Sequence, residues 1–173
     1  MGRKEGCPTD NAILTRLYEL YSREIYLYLY AMCRDSATAE DIMQECFLRA
    51  ILSLPDGHGN MRAWLYRVAR NLLLDQLRGR RREADAMPEP PAGTEEEPLS
   101  VYLRSEKRRR LIELMAGLDE RRREILTLQY YSGLSQKEIA ALLHLSHENV
   151  RVLSLRARRE LKKKMEEDGY DFS

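Results

Sequence analysis

Hydrophobic residues recur at helical spacing along most of the chain, and breaks rich in glycine, proline or polar residues separate the helical stretches. In the N-terminal half this spacing predicts three helices, at about residues 11–33, 38–51 and 60–78. In the C-terminal half it predicts four, at about residues 102–118, 120–132, 136–143 and 147–166. We find no strand-like alternation and no internal repeat, so the pattern predicts an all-α protein.

Polar residues at the helix boundaries predict where several helices begin and end. Ser135 and Glu138 have the spacing of a capping box at the start of a short helix. Thr38 and Asp41 have the same spacing, with Asp in place of Glu, which predicts that the second helix begins at Thr38. Gly79 predicts the end of the third helix.

Residues 83–101 have a different composition from the rest of the chain. They hold four of the six prolines, six acidic residues and no basic residue, and almost nothing that could form a core. Such a segment is typical of an extended, flexible linker. The sequence therefore predicts two small helical domains, 10–82 and 102–167, joined by a flexible acidic, Pro-rich linker.

The charge of the chain is balanced overall but segregated along its length. The 173 residues carry 29 Lys and Arg against 28 Asp and Glu. Residues 62–82 nevertheless contain seven arginines and a single acid, and residues 151–164 contain seven basic residues and a single acid. Two cationic segments separated by an anionic one favour a polyanionic partner such as nucleic acid.

Targeting signals and cysteine chemistry narrow the class of protein further. No apolar run approaches the roughly 20 residues that span a bilayer, so no membrane insertion is expected. The first residues lack the apolar stretch of a secretory signal. The three cysteines form no CxxC pair, which is typical of a protein of the reducing cytoplasm rather than a disulfide-stabilised one.

The segment 136–155 has helix-turn-helix spacing, with a short capped helix, a tight turn and a second helix capped by Ser146. The turn residue, His144, requires positive φ, which His tolerates better than most residues. The second helix presents side chains that donate hydrogen bonds to base edges and phosphates, namely Asn149, Arg151, Arg156 and Arg158. The alternative is an ordinary helical hairpin with a solvated basic face, but the paired caps favour DNA binding.

The third predicted helix carries a polar face of nearly pure positive charge. Opposite its apolar arc lie Arg67, Arg70, Asn71 and Arg78. An amide surrounded by arginines suits a base flanked by phosphates. Considered alone, the pattern is equally consistent with an ordinary surface helix that is rich in arginine.

The second predicted helix carries an acidic and amide group, Asp41, Gln44 and Glu45, at spacings of three and four. This face is consistent either with a docking surface for another protein or with an ordinary solvent-exposed helix face. Catalysis finds little support, because the three histidines lack an acidic partner or metal-ligand spacing, and the phosphate-loop, dinucleotide and nucleophile-elbow motifs are missing. We therefore expect no catalytic residue, no metal and no cofactor.

The order of these motifs resembles a known family. Residues 39–48 (AEDIMQECFL), 61–71 (MRAWLYRVARN) and Asp75 are similar to the promoter-melting domain of bacterial sigma factors of the extracytoplasmic-function (ECF) group within the sigma-70 family. Residues 118–161, including GLSQKEIAALL and Arg156-Ala-Arg158, resemble the second DNA-binding domain of that family. The resemblance covers nearly all the chain except its first ten residues and the linker.

The resemblance implies a dissociable specificity subunit of RNA polymerase, with the core enzyme and promoter DNA as partners. Asp41, Gln44 and Glu45 would dock on the core enzyme. Loop 54–60 and Asn71 would capture a flipped base of the −10 element, while Arg67, Arg70 and Arg78 hold the single strand. The residues implied for −35 recognition are Asn149, Arg151, Arg156 and Arg158. An anti-sigma factor is expected to inhibit the protein in the cytoplasm or to hold it at the membrane.

Three positions depart from the family pattern. The family usually has a small polar residue at Val152, often Arg at Leu153, and commonly Ile or Leu at Ser154. These departures imply a changed −35 preference or a slightly rotated recognition helix. Two other functions remain as alternatives. A stand-alone helix-turn-helix regulator would bind palindromic DNA tightly without polymerase, and a helical adaptor would bind only protein.

Overall fold

The computed structural model describes residues 8–53, 60–84 and 106–169, and within these ranges it contains seven α-helices and no strand. The helices are α1 (Pro8–Cys33), α2 (Ser36–Leu52), α3 (Met61–Ala84), α4 (Glu106–Ala116), α5 (Glu120–Tyr130), α6 (Gln136–Leu143) and α7 (His147–Asp168). The predicted all-α class is confirmed. In the described part of the chain, no helix is both long enough and apolar enough to cross a membrane.

The N-terminal half is built from α1, α2 and α3, which all pack on one another. Their apolar stripes meet in a core that includes Leu29, Met43 and Leu65, each fully buried. Tyr28 and Tyr66 pack edge to face inside it, with ring centroids 5.6 Å apart. Burial of these stripes, rather than helix propensity, stabilises helices of this length.

Two predicted helix boundaries in this half are wrong. The second helix begins at Ser36 with Asp35 as its N-cap, and the Asp35 carboxylate accepts from the backbone N–H of Thr38 at 3.2 Å. Thr38 therefore lies inside the helix and is not its cap. The third helix continues past Gly79 to Ala84, and in this extra turn Arg80 donates to Asp35 at 3.1 Å.

The C-terminal half follows its predicted boundaries more closely. Ser135 and Glu138 form the predicted capping box of α6, and Ser146 caps α7. His144, between the two helices, has φ of 55° and ψ of 44°, so the predicted left-handed turn is confirmed. Val150 is fully buried and belongs to the same apolar cluster as Ile139, which holds the two helices in their turn.

The two halves pack directly against each other. Helix α1 contacts α4 and α5, and α3 contacts α6. One apolar cluster therefore runs through both halves and contains Leu29 and Leu65 together with Ile112, Ile125 and Ile139. The predicted linker lies outside the described residues except for its first two, which continue α3, and the predicted domain limits stay predictions.

Candidate nucleic-acid interface

The outer face of α7 presents the polar residues that the helix-turn-helix pattern predicts. Asn149, Arg151, Arg156 and Arg158 are all exposed. The inner face of the same helix, including Val150 and Ala157, is buried against α5 and α6. The capped start of α7 therefore holds the helix by its apolar side and leaves its basic side open to a ligand.

Arg151 is exposed but has an ion-pair partner. Its guanidinium donates to the Glu148 carboxylate three residues earlier, with a shortest distance of 2.6 Å. The hydrogen bond to Glu148 raises the pKa of Arg151 above its usual value. An exposed pair of this kind contributes little to stability, so a phosphate or a base edge can replace Glu148.

A second basic strip lies along α3. Arg67, Asn71 and Arg78 are exposed, and their spacings of four and seven residues place them on one side of the helix. Arg78 contacts Asp75 at 3.3 Å in a largely exposed pair. The side chains of Arg67 and Asn71 make no hydrogen bond or ion pair with any residue that the structure describes. The strip can therefore contact a negatively charged strand through side chains that are already accessible.

The structure does not bring Arg70 together with this strip. Its guanidinium donates to both carboxylate oxygens of Glu124 on α5, at 2.8 and 3.4 Å. The side chains of Arg70 and Glu124 are only 15% and 7% exposed. Tyr28 donates its hydroxyl to the same carboxylate at 3.0 Å. In this structure Arg70 is therefore inaccessible to a nucleic-acid strand.

The electrostatics of this trio follow from its burial. Burial, reinforced by the charge of Glu124, raises the pKa of Tyr28 well above its usual 10.0, so the phenol stays protonated and donates. Burial alone would lower the pKa of Arg70, but the hydrogen bond and charge of Glu124 raise it overall. Arg70 therefore stays charged inside this contact.

The acidic group on α2 forms one surface of the N-terminal half. Asp41 and Gln44 are exposed, and Glu45 accepts from Arg49 at 2.8 Å. The sequence analysis did not predict the exposed apolar residues beside them. The exposed fractions of Leu48, Ile51 and Leu52 are 53%, 52% and 83%. Their spacings of four, seven and eight residues from Gln44, which place them on the same side of the helix, were the available signal. Exposed apolar side chains next to a polar group are typical of a protein-binding surface.

We next searched the described ranges 8–53, 60–84 and 106–169 for metal-binding groups and reactive thiols. They contain no group of three His, Cys, Asp or Glu residues that could hold a metal ion. Burial raises the pKa of Cys46 to about 12, which makes it an unreactive structural thiol. The predicted base-capturing loop, residues 54–60, lies outside the described residues except for Asn60.

Comparison with known proteins places both halves in one family. Residues 17–83 match the family model of Sigma-70 region 2, and residues 108–161 match that of Sigma-70, region 4. The ECF RNA polymerase sigma factor SigM of Bacillus subtilis is 30% identical over 151 residues, which cover 86% of this chain and 93% of SigM. The ECF sigma factor SigL of Mycobacterium tuberculosis is 31% identical over 175 residues, or 98% of each chain.

The chain belongs to the ECF group of the sigma-70 family. The resemblance predicted from the motifs is thereby confirmed. The roles of the individual side chains of this sigma factor stay predictions.

Solved structures share the fold of this sigma factor. The sigma factor RpoE of Bartonella quintana, solved with the anti-sigma factor NepR, matches with a TM-score of 0.70 at 19% identity, over 89% of this chain and 97% of RpoE. CnrH, solved with the cytosolic domain of CnrY, matches with a TM-score of 0.65 at 23% identity, over 91% and 90% of the two chains. At these identities the likeness establishes the arrangement of helices.

Proposed function

We propose that this sigma factor is a non-catalytic, dissociable subunit that gives RNA polymerase its promoter specificity. The observation that carries the proposal is the presence of region 2 and region 4 in one chain, each with an exposed basic helix. Two separate DNA contacts on one small protein suit a promoter with two recognition elements.

Docking on the core enzyme is assigned to the face of α2. Asp41, Gln44 and Glu45 supply its polar part, and the exposed Leu48 and Ile51 supply apolar area to bury against the partner. Burial of apolar side chains contributes most of the free energy in protein association, while charges set the orientation. A mixed surface of this kind fits a large, dissociable protein partner.

Promoter melting is assigned to the basic strip of α3. Opening a duplex costs about 1.4 kcal/mol of stacking per base-pair step, which a small domain cannot supply alone. Capture of an extruded base by Asn71 offsets part of this cost, and Arg67 and Arg78 hold the neighbouring phosphates. Docking on polymerase supplies the rest, so the protein is expected to melt DNA only as part of the holoenzyme.

Recognition of the −35 element is assigned to α7. A helix held by its apolar side in a helix-turn-helix unit enters the major groove with its N-terminal residues near the bases. Asn149 and Arg151 lie in the first turns of α7 and suit base edges. Arg156 and Arg158 lie farther along and suit phosphates.

Inhibition by an anti-sigma factor in the cytoplasm completes the proposal. Support comes from RpoE of Bartonella quintana, which has the same fold and was solved with the anti-sigma factor NepR. Recovery of an inhibitory protein with the affinity-tagged chain from unstressed cells would support this regulation, and repeated failure to recover one would count against it.

The test of the proposed function begins with transcript start sites. Overexpression of the chain followed by mapping of induced start sites should reveal a shared pair of upstream elements. Purified full-length protein with core polymerase should then produce a run-off transcript from those promoters. Asp41→Ala should weaken core binding, whereas Glu19→Ala, an exposed change on α1, should leave it unaltered.

Two results would overturn the proposal. One is the absence of any promoter-specific transcript with core polymerase. The other is tight binding to palindromic DNA without polymerase, which would instead establish a stand-alone regulator.

A further inference from the structure

The contact between Arg70 and Glu124 joins the two DNA-binding halves of the chain. Arg70 lies on α3 of region 2, and Glu124 lies on α5 of region 4, 54 residues later. Tyr28, on α1 of region 2, donates to the same carboxylate. A single carboxylate from one half is thus held by two donors from the other.

The geometry of this contact is one that arginine also uses to bind phosphate. Arginine binds carboxylate and phosphate oxygens in the same planar, two-pronged manner, and here Glu124 occupies both prongs. Arg70 is one helical turn from Arg67 and adjacent to Asn71, which are exposed. A strand that follows Arg67 and Asn71 would therefore reach Arg70 if Glu124 were withdrawn.

We infer that Glu124 acts as an internal substitute for a DNA phosphate, so that region 4 closes over region 2 and competes with single-stranded promoter DNA for Arg70. This inference rests on the proposed function. Closure leaves Arg70, beside the basic strip on α3, covered while the chain is alone. Opening exposes Arg70 at the moment when region 4 moves to its own DNA element.

Other contacts between the two halves also stabilise the closed form. The Asn60 amide donates to Glu138 of α6 at 2.6 Å, and the apolar cluster continues from α1 to α5. Opening therefore costs free energy that must be recovered elsewhere. Docking on polymerase and binding of DNA at both elements are the events that recover it, which couples opening to holoenzyme assembly.

Removal of the Glu124 charge tests this closure. In Glu124→Gln the closed form keeps the Arg70 guanidinium buried without its paired carboxylate, whereas the open form exposes Arg70 to water. The control is Glu113→Gln, which removes one negative charge from an exposed pair with Arg110 inside region 4. A second variant, Tyr28→Phe, removes one donor and keeps every charge.

Two measurements on the full-length wild type and each full-length variant test the closure. Small-angle X-ray scattering reports its radius of gyration, and fluorescence anisotropy reports its binding to a labelled 20-nucleotide oligothymidylate. We expect Glu124→Gln to expand the chain and to tighten oligonucleotide binding about tenfold, since apparent affinity scales with the fraction in the open state. Tyr28→Phe should change both in the same direction by less, and Glu113→Gln should change neither.

Several outcomes would overturn the inference. Equal tightening by Glu124→Gln and Glu113→Gln would mean that net charge alone governs binding. Tighter binding without expansion, in a variant that still unfolds cooperatively, would mean that the halves do not separate. Transcription with core polymerase tests the proposed function independently, because wild type and Glu124→Gln should both support it whether or not closure occurs.

Discussion

The Ser154 hydroxyl on α7 donates to the Gln129 side-chain oxygen on α5 at 2.7 Å, at a position where an apolar residue is common in the family. Ser154 is fully buried, so its hydroxyl needs a partner inside the protein. Gln129 supplies that partner. The hydrogen bond keeps the inner face of the recognition helix against α5 without a large side chain.

This hydrogen bond predicts an energetic coupling between the two residues. Ser154→Ala should destabilise the protein by about 1 kcal/mol, the usual cost of a lost buried hydrogen bond. Gln129→Ala should cost a similar amount, and the double variant should cost less than the two single changes together. Urea denaturation of the four proteins measures the coupling. Strict additivity would show that the contact contributes nothing.

The left-handed turn at His144 predicts a stabilising substitution. A residue with a Cβ loses free energy at φ near 55°, whereas glycine adopts that conformation without strain. His144→Gly should therefore raise stability by about 0.5–1 kcal/mol. The matched control is Ala141→Gly on the exposed side of α6, which should lower stability by about 1 kcal/mol. Thermal unfolding distinguishes the two changes, and a loss of stability in both would contradict the prediction.

Features that depend on local interactions could be predicted from the sequence. The capping box of Ser135 and Glu138 and the turn at His144 involve residues only a few positions apart, so the local sequence is enough to predict both. The boundaries of α2 and α3 could not be predicted as well. The capping-box spacing predicts Thr38 as the cap of α2, but the N-cap is Asp35, three residues earlier. One glycine costs a helix only about 1 kcal/mol, so it does not by itself end α3, which continues to Ala84.

The accessibility of Arg70 could not be predicted from the helical pattern at all. A helical projection places Arg70 near Arg67 and Asn71, and only the packing of region 4 separates them. Its partner, Glu124, is 54 residues away in the chain, and no short-range spacing encodes that distance. The sequence thus predicted which helix carries the basic face but not which part of that face is covered.

The N-cap of α2 predicts a pH dependence of stability. Although burial acts to raise it, hydrogen bonds from Thr38 and Arg80 lower the pKa of Asp35 below 3.8. The folded state therefore favours the carboxylate, and this stabilisation is complete above pH 3.8 and is lost as the pH falls through the folded-state pKa.

Substitution of Asp35 isolates this contribution. Asn also caps helices well, so Asp35→Asn should cost only about 0.5–1 kcal/mol at pH 7, and its deficit should vanish near pH 2. Urea denaturation between these pH values measures the difference. Asp41→Asn, an exposed change on the same helix, should not reproduce the pattern, and a deficit that persists at pH 2 would contradict it.

The exposed strip on α3 predicts that two neighbouring side chains affect promoter DNA in different ways. Asn71 is expected to contact a base, so Asn71→Ala should weaken open-complex formation by the holoenzyme by about 1–3 kcal/mol, and only at promoters that carry the preferred base. Arg67 is expected to contact phosphate, so Arg67→Ala should weaken binding at all promoters and reduce the slope of log K against log salt by about 1.

Permanganate reactivity measures strand opening, and filter binding at several salt concentrations measures the slope. Arg16→Ala, which removes an exposed arginine from α1, should alter neither. A uniform loss with Asn71→Ala, or an unchanged slope with Arg67→Ala, would show that these side chains do not contact DNA in the proposed way.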